Sequence, residues 1–193
     1  MKPMAQPKQG ASRLRKLWLF AGITLVAGGV LAGLLLFDVL EVRTSPSEPT
    51  RSLRGWIGAL RAHYQEHRTY PTALSAVGFS PERGNRYACF SGPGPLEDRS
   101  GEKGAASPEA QGIAVDTLRF PDRAVTFAQL PEDVSGQLGV AGNCPRCSIT
   151  LACAARLHLD GPLDIWTLST GERQLRDGTI IPPDELYHDV DGQ

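Results

Sequence analysis

His63, Glu66 and His67 stand in the spacing H-x-x-E-H. On a helix, two histidines four residues apart project from one side and can chelate zinc, while the intervening glutamate can act as a general base. Hydrolysis at a metal also needs a third protein ligand and a cleft for the substrate. No downstream residue presents itself as that ligand, so the group reads as a solvated histidine pair on a helix whose Tyr64 belongs to the apolar stripe. Cys144-Pro145-Arg146-Cys147 offers a second chemistry. A CxxC pair becomes redox-active when a helix N-terminus stabilises its thiolate, but this one runs directly into a strand pattern. Zinc held by four cysteines is disfavoured because Cys89 and Cys153 are isolated and make no second CxxC. Asp160, Asp164, Asp189 and Asp191 gather around turns and the C-terminus; DVDG is a fragment of a calcium loop without the remaining spacing, so they read as solvated turn residues. Neither a G-x-S-x-G elbow nor a phosphate-binding glycine loop occurs. No catalytic residue, cofactor or metal is assigned.

The elements that position these residues begin with a strongly asymmetric N-terminus. Lys2, Lys8, Arg13, Arg15 and Lys16 put +5 ahead of Leu17, and the remaining 15 basic against 21 acidic residues leave the rest at −6. A body of that sign excludes nucleic acid as a partner, since phosphate neutralisation needs a basic stripe. Residues 17–37, LWLFAGITLVAGGVLAGLLLF, carry no charge over a length that crosses a hydrocarbon core of about 30 Å as a helix. The positive-inside effect then keeps residues 1–16 in the cytoplasm and sends residues 38–193 outside, into the periplasm of a bacterium. Val30-Leu31-Ala32 would pass as a signal-peptide cleavage site, but LLLF continues the apolar run beyond it, which favours an uncleaved anchor in the lipid bilayer. Gly29 and Gly33 form a GxxxG, where absent side chains let another membrane helix approach.

After the span, the Pro46 and Pro49 region marks a break and a new helix start, with Ser47 as an N-cap. Leu53, Trp56, Ile57, Leu60 and Tyr64 recur at spacings of three and four, which predicts an amphipathic helix ending before Pro71. Beyond Phe79 the pattern favours strands at 85–90, 113–118 and 124–130. The clearest is CSITLACAARLHL, whose Cys147, Ile149, Leu151, Cys153, Ala155, Leu157 and Leu159 fall on one face; DIWTLST returns as its hairpin partner with Trp166 and Leu168 inward. Residues 91–112 are rich in Gly, Pro, Ser and charge and read as a mobile surface loop. The tail from Asp177 shows little pattern.

The run RAHYQEHRTYPTALSAVGFSPERGNRYACF, then CPRCSIT, DIWTLST and HDVDG, resembles a group of bacterial type IV pilin-like and pseudopilin-like proteins. GFSPERGNRYA carries the resemblance most specifically. It implies an α+β fold, a transmembrane helix continuing into an amphipathic helix packed on a small antiparallel sheet, and a structural or assembly subunit whose partners are other membrane or pilin-like subunits. The N-terminus departs from that pattern. Polymerising pilins carry Gly before the prepilin-peptidase cut, an aromatic or Met after it, and Glu five residues into the mature helix; here Ala11 follows Gly10 and Arg15 takes the fifth position, while Gly22 is followed by Ile23 and Ala27.

The cysteines all lie on the expected outer side, where thiols oxidise. Four cysteines allow three connectivities, among which sequence alone does not choose. The preferred one pairs Cys144 with Cys147 as a local staple and Cys89 with Cys153, which sit in separate strand candidates on faces shared with Tyr87 and Leu151. A membrane-tethered thiol-disulfide oxidoreductase using Cys144 and Cys147 is the alternative function.

Overall fold

A computed structural model of the chain describes residues 47–101 and 107–190. The apolar stripe of the sequence becomes helix α1 (Ser47–His67). Pro49 lies in its first turn, where the missing N–H breaks no helical hydrogen bond. The helix closes at Arg68, whose φ of 60° is left-handed and whose N–H bonds Tyr64 O at 2.9 Å, a single-bond αL stop. Leu53, Trp56, Ile57 and Leu60 are buried, whereas Tyr64 is only half-buried. None of the described helices is long and apolar enough to cross a membrane. The expected membrane span, Gly29 and Gly33 lie outside the described residues, as do Lys2 to Lys16 and Asp191.

The strands are β1 (Ala88–Phe90), β2 (Leu96–Glu97), β3 (Gly112–Ile113), β4 (Gly139–Ala141), β5 (Ser148–Ala155), β6 (Asp164–Ser169), β7 (Arg173–Gln174), β8 (Ile180–Ile181) and β9 (Tyr187–Val190). Among the described residues the main sheet runs β2-β3-β1-β5-β6-β9, with β4 paired to the start of β5 beside β1. Every pairing is antiparallel except β2 with β3. β7 and β8 form a separate two-stranded ribbon.

α1 packs on β5 and β6. Its buried residues meet Ile149, Leu151, Cys153, Ala155 and Leu168, with Trp166 partly buried beside them. The opposite face of the sheet is covered as well. Ala88, Phe90, Ala152, Ala154 and Ile165 pack under Val115, Val125, Leu130 and Val134, and the Phe127 ring meets Phe90 edge-on at 6.1 Å. β5 is therefore buried on both faces over Ile149 to Ala155, with Ile149, Leu151, Cys153 and Ala155 toward α1 and Ala152 and Ala154 toward the second layer.

That second layer departs from the sequence reading. Residues 124–130 do not form a strand; a 3-10 turn at Phe127–Gln129, closed by a capping box between Thr126 and Gln129, leads into the short helix α2 (Glu132–Ser135). The strand expected over 113–118 stops at Ile113, because Asp116 O captures the N–H groups of Arg119 and Phe120 and turns the chain. β5 ends at Ala155, so Leu157 and Leu159 are not part of it. Residues 91–112, expected as a loop with almost nothing to bury, supply β2, the start of β3 and the buried Arg99 and Ala110 over their described part. Gly112 is required there: a Cβ would run into the Cys89 carbonyl oxygen of the neighbouring strand. The tail, expected without pattern, forms β8 and the edge strand β9.

Candidate functional site

Two disulfides organise the described body. Cys89 and Cys153 face each other directly in the β1–β5 register and are bridged, buried between α1 and the sheet. Cys144 and Cys147 are bridged within the turn joining β4 to β5. Tyr64 on the last turns of α1 donates its hydroxyl hydrogen to Pro145 O and stacks on Tyr70 at 4.7 Å, so this turn is tied to the end of the helix. The chain passes from Cys147 straight into β5, with no helix N-terminus at which a thiolate would be stabilised.

His63 and His67 lie on the last turns of α1 with ring centroids 4.3 Å apart. Glu66 is beside them, 3.7 Å from His67 Nε2. Among the described residues, no third His, Cys, Asp or Glu joins them in a metal-sized group. Of the acidic residues, Asp160 is exposed in a turn, whereas Asp164 is the centre of a network that sequence reasoning missed. Its carboxylate accepts from the Tyr87 hydroxyl, from Trp166 Nε1–H at 3.0 Å and from His188 Nε2 at 2.6 Å. His188 stacks on Trp166 at 4.1 Å, opposite it in the β6–β9 register, so the network holds the edge strand β9 in place. Burial pushes the Tyr87 phenol well above its ordinary value, and the bond to Asp164 pushes it further, so it remains a donor.

The segment 78–88 is positioned from outside by three charged side chains. Arg99 is 2% exposed and donates to Pro81 O at 3.1 Å, Glu82 O at 3.2 Å and Ser80 Oγ at 3.3 Å while pairing with Glu97 at 3.0 Å. Asp116 accepts from Gly84 N–H at 2.8 Å, where Gly84 has a φ of 88°, and lies 3.6 Å from Arg83 Nε. Glu48, at the start of α1, accepts from the N–H groups of Arg86 and Tyr87 at 2.7 and 3.0 Å and ties the helix to the same segment. A groove of about 420 Å³ lies between the first half of α1 and Phe79 to Asn85; no histidine or cysteine lines it. The arrangement holds the segment 78–88 and the start of the helix in place.

Burial alone would raise the Asp116 carboxyl, but the N–H groups of Gly84 and Arg119, with the charge of Arg83 and the N–H of Leu118, together outweigh it and hold the carboxyl below the usual carboxylate range. Its folded value is thus below its unfolded one of about 3.9, so its contribution to stability is complete above that pH and lost as pH falls through the folded value. Asp116→Asn should cost about 1–3 kcal/mol at neutral pH by weakening the Gly84 bond. The gap between variant and parent should narrow as the pH drops below 4, measured as paired urea titrations. A gap that stays constant would show that the carboxylate charge does not matter. Comparing the two proteins cancels Glu48, whose carboxyl burial raises and whose contribution runs in the opposite sense.

A family model described as type IV pilin PilA matches residues 40–158, well over half of the 193-residue chain. The type IV major pilin protein PilA of Myxococcus xanthus (strain DK1622) is 24% identical over 159 residues, covering 73% of this chain and 72% of that protein. The family match runs from ahead of α1 to just beyond β5, and so takes in the helix, both bridged cysteine pairs and the segment that Arg99 and Asp116 hold.

Proposed function

The chain belongs to the type IV pilin PilA family, and we propose that it is a structural or assembly subunit of a pilus or related secretion filament in the cell envelope, acting through contacts with other subunits and not through catalysis. The observation that carries this reading is the match over 40–158, which spans α1 and β5, the two elements whose packing forms the core. Residues 1–16 are the cytoplasmic tail, residues 17–37 the lipid-embedded anchor, and residues 38–193 the body outside the inner membrane. The sequence supports this division by its charge asymmetry and uncharged run. Gly29 and Gly33 are the positions at which the anchor packs on neighbouring helices.

The test is the N-terminus of the chain recovered from cell membranes. The expected result is an intact basic head in the inner-membrane fraction, since neither Gly10 nor Gly22 is followed by the residues that processing favours. A cut near either glycine would place the chain among processed, polymerising pilins. Recovery only from the soluble cytoplasm would overturn both the anchor and the envelope role.

A further inference from the structure

The histidine pair at the end of α1 takes no part in the packing that supports the pilin reading, and its geometry asks for another use. His63 Nδ1 lies 3.1 Å from Thr69 O. A carbonyl oxygen only accepts, so Nδ1 carries the proton, and in the neutral ring Nε2 is the nitrogen with the lone pair. Imidazoles that ligate metals are commonly oriented in this way, with one ring nitrogen donating to a backbone carbonyl and the other left to coordinate. His67 stands one helical turn on, with its ring 4.3 Å away and its side chain 58% exposed. Glu66, 76% exposed and adjacent to His67, offsets the positive charge of neighbouring Arg68 on an arriving cation.

We propose that His63 and His67 form an exposed two-point chelate for a divalent transition cation of the copper or zinc class. Imidazole nitrogen suits those ions, whereas calcium and magnesium take oxygen. Two protein ligands leave the remaining coordination positions to water. Neither side chain belongs to either core cluster, so occupancy leaves the fold unchanged. The turn that holds the pair is fixed from both sides, by the Arg68 stop and by the Tyr64 bond to Pro145, so the two rings are held near each other before the cation arrives.

The chain has only four histidines, which makes the test clean. Cu²⁺ alone is titrated into the purified full chain, with affinity read by calorimetry and ligand number by nitrogen hyperfine splitting in electron paramagnetic resonance. The expected result is one strong site with two imidazole nitrogens. His63→Ala and His67→Ala should each weaken it roughly a hundredfold, because each converts a two-point chelate into a single contact. His158→Ala and His188→Ala should leave it unchanged. Circular dichroism should show all four variants folded. Binding that survives both substitutions in α1, a spectrum with a single imidazole in the parent protein, or loss on His158→Ala or His188→Ala would each overturn the proposal.

Discussion

Replacing Cys89 and Cys153 together by alanine is expected to lower stability by about 4 kcal/mol, the loss predicted when a loop of 64 residues' separation is released in the unfolded chain. That is a large share of the 5–15 kcal/mol or so that holds a typical domain folded. Both sulfurs are buried between α1 and the sheet, so the removed atoms also leave space that the surrounding Ile149, Leu151 and Trp56 fill only partly. Cys144→Ala with Cys147→Ala opens a loop with a separation of only 3 and should cost about 2 kcal/mol by the same relation. Urea denaturation of the two double variants and of the oxidised parent measures both numbers. Equal losses would show that loop entropy is not what the bridges contribute, and a loss under about 1 kcal/mol at the long bridge would show residual order in the reduced chain.

Arg99→Ala is expected to cost about 3–5 kcal/mol, because it removes one partner of a buried pair and leaves Glu97 and the carbonyls of Pro81 and Glu82 without the guanidinium donor. The damage should be local first. Protease cleavage should appear between Phe79 and Arg86 at denaturant concentrations where α1 remains intact, since the guanidinium is the common anchor of that segment. Combining Arg99→Met with Glu97→Gln removes both charges and should recover part of the loss. If the double variant is no more stable than Arg99→Ala, the Glu97 charge is not the penalty, and the unsatisfied carbonyls are.

The helix was legible in the sequence because Leu53, Trp56, Ile57 and Leu60 repeat at helical spacing and all four are buried against one surface. The β5–β6 hairpin was legible for the matching reason, with Ile149, Leu151, Trp166 and Leu168 at alternate positions of two long strands. The second layer was not. Ala152 and Ala154 are small enough to read as neutral spacers between larger residues, yet they form a floor on which Val125, Leu130 and Val134 rest. Those three come from turns and a single helical turn, where no periodicity accumulates. Arg99 escaped notice because a charged side chain in a Gly- and Pro-rich stretch reads as solvated, and only the tertiary fold brings backbone carbonyls from Pro81 and Glu82 around it. The Asp164 network was hidden for a similar reason: Tyr87, Trp166 and His188 come from three separated stretches, and β9, on which His188 sits, is only four residues long. The CxxC was informative through its neighbours in the chain, since the strand after Cys147 gives its sulfurs no helix N-terminus.

The placement of the long bridge decides how much of this molecule yields when its ends are pulled. Tension entering through α1 and β1 crosses at Cys89 directly to Cys153, bypassing everything between them. That stretch would otherwise release roughly 200 Å of extended backbone. With the sulfurs joined, that stretch stays out of the line of pull, and only the flanking segments lengthen.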